Sequence, residues 1–281
     1  MNKEPFTVLE MGSGSFKLHK NHSFSTRFQS SLGKGLKGSK LDTESVRIAL
    51  DSIEKQIIPF LQEHEIKTND VLVFATAAVR RAVRDKFGSG KEFIENVLKM
   101  GFSHVKVFSE DEECNYAAWA VLEEMRDLHS DFLMLDTGGA SHQLVEFKDG
   151  KILQKTSVPI GSHSKIENLP DFEERGFTRT LPLVVIGTTG LIINNITNLS
   201  RNTLREVAET LQDQSIEERR IFLEAMIENQ GVYHLFVDFR LAVLPNAFKI
   251  VYNCAENLKI KLFLDCSNQA MDFVSKYGFV D

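Results

Sequence analysis

The apolar run at residues 6–10 (FTVLE) predicts a strand, residues 11–15 (MGSGS) a turn, and residues 16–19 (FKLH) a return strand. A further extended stretch at 24–28 leads into the glycine segment LGKGL at 32–36. Asp42 is placed to cap a helix, because Val46, Ala49, Leu50, Ile53, Ile57 and Leu61 then recur at helical spacing. Residues 71–74 form a short apolar strand that runs into ATAAVR at 75–80, and a helix is predicted from about Lys91 to Met100. The next strand is 105–108; the helix after it starts near Glu110 and carries Tyr116, Ala117, Val121 and Leu122. Strands alternating with helices predict an α/β sheet with crossover connections.

The second half opens in the same way. Residues 132–136 (FLMLD) predict a strand, 137–141 (TGGAS) a Gly/Ser turn and 143–147 a strand; Asp149 and Gly150 give a hairpin signal before 152–159 returns to Ile160 and Gly161. Gly12 and Gly33 are 21 residues apart, Gly138 and Gly161 are 23 apart, and each interval holds a strand, a Gly/Ser turn and two extended segments. This is an internal repeat of one supersecondary unit. Two such units facing each other would present their turns across a cleft, and the boundary is set at 1–127 and 128–281. Farther on, a strand at 183–186 precedes GTTG at 187–190, and the remainder is predicted mostly helical: 203–211, 216–229, 237–257, a strand at 261–265 and a last helix toward Tyr277. The four charges from Glu217 to Arg220 predict a solvated face.

Composition adds exclusions. With 281 residues, 42% hydrophobic and 26% charged, the chain can bury a sizeable core and is near the length at which cores divide. A net charge of −6 argues against broad nucleic-acid binding but leaves room for a local basic pocket that takes a phosphorylated ligand. The 21 phenylalanines beside one tryptophan point to packing. Cys114, Cys254 and Cys266 are odd in number and widely spaced, which implies no zinc site or disulfide framework and fits a reducing compartment. The N-terminus lacks the apolar stretch of a signal peptide, and no run of about 20 apolar residues is present to span a bilayer. A cytoplasmic protein without membrane partners is expected.

Three Gly-rich turns follow apolar strands: Gly12, Ser13, Gly14 and Ser15; Gly138, Gly139, Ala140 and Ser141; Gly187, Thr188, Thr189 and Gly190. A phosphate needs several N–H donors on its oxygens, and such turns offer them without a Cβ in the way. Strand–turn junctions also use Gly and Ser for steric reasons alone. Glu10 and Asp136 end the strands before the first two turns, where a carboxylate either shares a hydrated Mg2+ with phosphate or caps its own turn. Glu110, Asp111, Glu112 and Glu113 begin a helix, which favours acids there electrostatically, and one of them could also activate a water. Arg80, Arg81 and Lys17 are candidates to neutralise a phosphate chain, and His142, within the second turn, is a polar turn residue or a ligand.

In order along the chain, EMGSGSFKL at 10–18 resembles DxGSNSxRL, the 32–36 glycines followed by LDTES at 41–45 resemble a glycine-then-LSxE segment, and ATAAVRRA at 75–82 resembles ATxAxRxA. SEDEEC at 109–114 resembles SGxEEA, DTGGASHQL at 136–144 resembles DIGGGSTEL, SVPIG at 157–161 resembles SLPLG, and GTTG at 187–190 a nucleotide-type glycine motif. The ordered set resembles the exopolyphosphatase / guanosine pentaphosphate phosphohydrolase (Ppx/GppA) family of the actin-like ATPase superfamily. That resemblance implies two actin-like, ribonuclease H-like lobes with mixed sheets flanked by helices and a cleft between them. It implies hydrolysis of a terminal phosphoanhydride from inorganic polyphosphate or a guanosine pentaphosphate-type nucleotide, with Mg2+ or Mn2+, in a superfamily that often forms homodimers. Glu113 then resembles the water-activating carboxylate with Glu112 beside it, and Arg80 the arginine of ATxAxR. Residues 12–15 with Lys17, and 138–141, resemble the phosphate cradles, Gly187, Thr188 and Gly190 the nucleotide motif, and Asp136, Glu10 and Gln143 the metal positions. The departures are Glu10 for Asp, Gly14 for Asn, Ala140 for the third glycine, Gln143 for Glu and Glu110 for Gly; the family's C-terminal blocks are not found beyond residue 200. They keep open a second reading, a catalytically impaired nucleotide- or alarmone-binding regulatory protein, and a third, a kinase on the same fold.

Overall fold

The computed structural model describes residues 5–20, 23–34, 36, 38–84, 88–125, 127–227, 230–236, 238–266 and 269–280. Gly35, Glu228, Asn229 and Val237, which fall within predicted segments, lie outside these residues. The chain forms two compact units, one of residues 1–120 with 269–281 and the other of residues 121–268.

The first unit is built on β1 (Thr7–Met11), β2 (Ser15–Lys20), β3 (Phe24–Gln29), β4 (Val71–Ala75) and β5 (Val105–Val107), in the order β3-β2-β1-β4-β5. β1 pairs antiparallel with β2 and parallel with β4, which pairs parallel with β5. Helices α1 (Thr43–Ser52), α2 (Ile58–Glu63), α3 (Ala77–Val83), α4 (Ser89–Lys99) and residues 110–120 of α5 (Glu110–Met125) complete the unit's first 120 residues. Asp42 caps α1 as expected, accepting from the Ser45 N–H at 3.1 Å. Both faces of this sheet are apolar, as a sheet with parallel crossovers requires. Leu9, Met11, Phe16, Leu18 and Val73 pack with Ala49, Ile53, Ile57, Phe93 and Val97, while Val8 and Phe74 pack on the other side with Phe108 and Tyr116.

The second unit repeats this plan with β6 (Phe132–Thr137), β7 (His142–Lys148), β8 (Lys151–Val158), β9 (Leu183–Ile186) and β10 (Phe263–Leu264), in the order β10-β9-β6-β7-β8. β6 is antiparallel to β7 and parallel to β9, as β1 is to β2 and β4. The β7–β8 hairpin turns on Asp149 and Gly150 with φ of 51° and 67°, the paired left-handed conformation that a two-residue hairpin favours. Leu133, Leu135, Leu144 and Val185 form the core with α6 (Gly187–Ile193), α7 (Arg201–Asp213), α8 (Ile216–Met226) and α10 (Leu244–Asn257), with α9 (Asp238–Leu241) between the last two. The expected fold class is therefore observed: two mixed five-stranded sheets, each flanked by helices. Among the described residues no helix is long and apolar enough to cross a membrane.

Several local expectations are corrected. Gly187 opens α6 rather than a turn ahead of it, and residues 77–83, to which the sequence assigns no element, are helical. The helix expected over 237–257 is two, because Pro245 sits in the first turn of α10, where its missing N–H costs nothing. The strand expected at 261–265 contracts to Phe263–Leu264. The 217–220 charges are not simply solvated: Arg219 donates to the Leu211 and Leu241 carbonyls at 2.7 and 3.0 Å, and Arg220 to the Phe236 carbonyl and Asp238. The chain ends by returning to the first unit. There α11 (Ala270–Tyr277) buries Met271 and Val274 beside Val8, Phe74 and Tyr116.

Candidate active site

Because β1, β4 and β5 run parallel, the 12–15 turn and the N-terminal ends of α3 and α5 share one sheet edge, the edge where α/β sheets bind ligands. The ladder continues past the strands: Thr76 N–H donates to the Met11 carbonyl at 3.2 Å and Phe108 N–H to that of Ala75 at 2.9 Å. Within the turn, Gly12 N–H donates to the Ser15 carbonyl at 3.1 Å. Ser30 Oγ donates to the carbonyls of Gly12 and Ser13 at 2.9 and 3.1 Å, Ser30 N–H to that of Gly14 at 3.3 Å, and Gly33 N–H to that of Ser13 at 2.7 Å. The turn's acceptors are thus consumed from behind. The N–H groups of Ser13 and Gly14 make no hydrogen bond among the described residues. Donors left over while acceptors are occupied are what an oxyanion requires.

Glu10, Lys17 and Arg27 are cross-strand neighbours on β1, β2 and β3. Lys17 Nζ lies 3.0 and 3.2 Å from the two Glu10 oxygens and donates to Gln269 Oε1 at 3.2 Å. Arg27 was not foreseen from the sequence. Burial lowers the pKa of its guanidinium while Glu10 draws it back up.

Arg80 is almost wholly buried; its Nη1 donates to the Phe108 carbonyl at 3.0 Å and to Glu113 Oε2 at 2.7 Å. This fixes the Glu113 carboxylate at the start of α5, with its side chain still 17% exposed. The other acids of the run have different tasks. Glu112 forms a capping box with Ser109, accepting its N–H at 2.9 Å, and pairs with Lys106 at 3.2 Å; the Ser109 N–H is the main cause of its lowered pKa. Glu110 reaches only to 4.0 Å from Arg80 Nε, and Asp111 accepts from Asn115 at 3.3 Å.

The second unit has a matching turn. Gly138 N–H donates to the Ser141 carbonyl at 2.9 Å, while Ser162 and His163 N–H groups take the carbonyls of Gly138 and Gly139 at 3.0 and 2.8 Å. Asn246 Nδ2 in turn holds the Ser162 and Ser164 carbonyls at 3.1 and 3.0 Å. Gly33 and Gly161 do the same job in the two units. A Cβ on Gly33 would lie 2.8 Å from Ser13 Cβ, and one on Gly161 would lie 2.4 Å from Ala140 N. The spacing repeat is therefore a repeat of contacts.

Asp136, Gln143 and Ser157 occupy the positions that Glu10, Lys17 and Arg27 hold in the first unit. Gln143 is buried and donates to Ser141 Oγ at 3.1 Å. Gly187 has φ of 78°, and a Cβ there would come within 3.2 Å of Asp136 Oδ1, so this glycine lets the helix start beside the carboxylate. Gly190 answers to packing, since a Cβ would lie 2.0 Å from the Val185 carbonyl; Thr188 is partly exposed in the first turn of α6. His142 is not a turn residue. It begins β7 with no exposed surface, its Nδ1 donates to the Ile160 carbonyl at 2.6 Å, its Nε2 has no hydrogen-bond partner, and burial pushes its pKa down to about 4.

For a divalent cation the donor set is sparse. Among the described residues no three His, Cys, Asp or Glu cluster to hold a metal, Glu10 is committed to Lys17, and Gln143 is neutral. Asp136 fits the one role that suits such a set, a single carboxylate completed by water and phosphate oxygens.

Residues 10–171 match the model of the Ppx/GppA phosphatase family. No curated protein matches the chain by sequence. Among solved structures the chain is similar to an exopolyphosphatase from Cytophaga hutchinsonii, with 19% identity over 96% of both chains and a TM-score of 0.75. It is similar to an exopolyphosphatase-like protein, with 19% identity over 97% of both chains and a TM-score of 0.72. It is also similar to the Ppx/GppA enzyme of Aquifex aeolicus, with 18% identity over 96% of this chain and 98% of the other and a TM-score of 0.65.

Proposed function

This chain belongs to the Ppx/GppA phosphatase family, and from that premise we propose that it hydrolyses the terminal phosphoanhydride of inorganic polyphosphate or of a guanosine pentaphosphate-type nucleotide. The observation that carries the reading is the 12–15 turn, with its carbonyls tied back and the Ser13 and Gly14 N–H groups unspent, on the same sheet edge as Glu113 held by Arg80. Those N–H groups receive phosphate oxygens, and Lys17, two residues past the turn on β2, adds a donor to the phosphate chain when it exchanges a Glu10 bond for a phosphate oxygen. Glu113 orients a water and takes its proton as the new P–O bond forms; the bridging P–O bond breaks, and the shortened chain departs with the electron pair. Arg80 keeps the Glu113 carboxylate in one rotamer. Asp136, at the matching turn of the second unit, would hold Mg2+ or Mn2+ through water and phosphate oxygens, and the ion would neutralise phosphate charge. A cytoplasmic location accords with three cysteines of which none is in a disulfide.

One observation favours the second reading, a protein that binds phosphorylated nucleotides without turnover: Glu10 is neutralised by Lys17 and the partner of Asp136 is an uncharged amide. A phosphate-release screen over polyphosphate, guanosine penta- and tetraphosphate and ATP, with Mg2+, Mn2+ or EDTA, separates the two. Release is expected from at least one of these substrates, and Glu113→Gln should lower it by roughly 10²–10⁴-fold with binding retained. Tight binding by calorimetry with no release would move the conclusion to the second reading. Neither binding nor release would defeat both.

A further inference from the structure

Gln269 stands at the N-cap of α11, a position that Ser, Thr, Asp and Asn normally fill. It closes a capping box with Asp272, whose Oδ2 accepts the Gln269 N–H at 2.7 Å. A shorter side chain would cap as well. The extra reach of Gln269 has a separate use, because its Oε1 also accepts from Lys17 Nζ at 3.2 Å and supplies the third acceptor of an ammonium whose other two bonds go to Glu10. Asp272 also faces the same strand, with its Oδ1 3.2 Å from His19 Nε2, a contact that becomes an ion pair when that imidazole is protonated. Lys17 and His19 lie two apart on β2 and so point to the same face, the face that α11 covers. Gln269 and Lys17 are 252 residues apart in sequence.

We propose that Gln269 is a positioning residue: the cap of the C-terminal helix holds the ammonium of Lys17, two residues past the 12–15 phosphate turn on β2, and so sets the affinity of that turn for phosphate chains. The step from a held lysine to phosphate affinity rests on the phosphatase reading; the held lysine does not.

Gln269→Ser tests it, because serine is the better cap and leaves α11 folded while removing the bond to Lys17. Two measurements are made on the full-length protein: the acetylation rate of Lys17, followed by mass spectrometry, and kcat and KM for tripolyphosphate hydrolysis. Lys17 should acetylate faster in the variant, KM should rise about tenfold, as loss of a hydrogen bond to a charged group implies, and kcat and the melting temperature should stay unchanged. Gln269→Glu keeps an acceptor of the same length and should keep Lys17 protected. Unchanged acetylation in Gln269→Ser overturns the positioning role. Faster acetylation with unchanged KM upholds it and overturns a phosphate role for Lys17. If the wild-type protein does not hydrolyse tripolyphosphate, kcat and KM are taken on whichever substrate of the release screen it does cleave; if it cleaves none, the phosphatase reading fails and acetylation alone decides the inference.

Discussion

A protonated His142 would put a charge on Nε2, which has no hydrogen-bond partner and no exposed surface. The folded state therefore resists protonation, and the pKa falls from 6.5 to about 4. Between those values the unfolded chain binds the proton and the folded chain does not. Stability from this residue is then complete above pH 6.5 and is lost as pH drops toward 4, a loss on the order of 3 kcal/mol. Urea midpoints at pH 7 and pH 4.5 should show the decline, and His142→Phe should flatten it; an equal slope in the variant would assign the effect to other groups. From sequence His142 reads as part of a turn, because strand ends are fixed by pairing and Thr137 opposite His142 is not written in the chain order. Glu113, Arg80 and Asp136 are picked out in the sequence by the ordered motifs in which they stand, SEDEEC, ATAAVR and DTGGAS. Arg27, Ser30, Gln269 and Asn246 are not, since they reach Lys17, the first turn or the segment behind the second turn by cross-strand pairing or from distant parts of the chain.

At the scale of elements, the strand–turn–strand units carry the phosphate reading, and each is braced by a glycine that comes too close to its turn to tolerate a side chain. The Gly161→Ala methyl would meet the backbone of Gly139 and Ala140 at 2.4 Å, and no rotamer can relieve that. The substitution should push the 138–141 turn aside, cost about 1–3 kcal/mol as other overpacked sites do, and weaken tripolyphosphate binding measured by calorimetry. Gly150→Ala is the control: it has open space around it and strains only its own φ of 67°, so it should cost about 1–2 kcal/mol and leave binding unchanged. Equal binding losses in the two variants would show that the bracing contact does not matter. The glycine spacings reveal this repeat in the sequence because a turn and its brace are local. Helix α3 is hidden there: its seven residues are small or basic apart from two valines and give too little periodicity to separate from a strand's continuation.

At the scale of the molecule, hydrophobic patterning divides the chain linearly, but residues 269–280 belong to the first unit. No period or composition signals that return, because the partners of α11 lie at the opposite end of the sequence. Phe6 N–H donates to the Ser275 carbonyl at 2.7 Å, Ser275 Oγ donates to the Phe6 carbonyl at 2.7 Å, and Val280 N–H reaches Tyr116 Oη at 2.7 Å. Met271 and Val274 add buried apolar surface worth about 1.5–3 kcal/mol each. Against a typical total of about 5–15 kcal/mol, losing both side chains and these bonds is a large share of one unit's stability. A chain ending at residue 268 should therefore lose hydrogen-exchange protection in β1, β2 and α5 first, while the β6 and β9 amides, whose core partners all lie within 121–268, keep theirs. Lys17 would lose its third acceptor in the same truncation, so phosphate affinity should fall with first-unit protection. Equal loss of protection in β1 and β6 would mean that the chain unfolds as one cooperative body and that the C-terminal helix stabilises all of it.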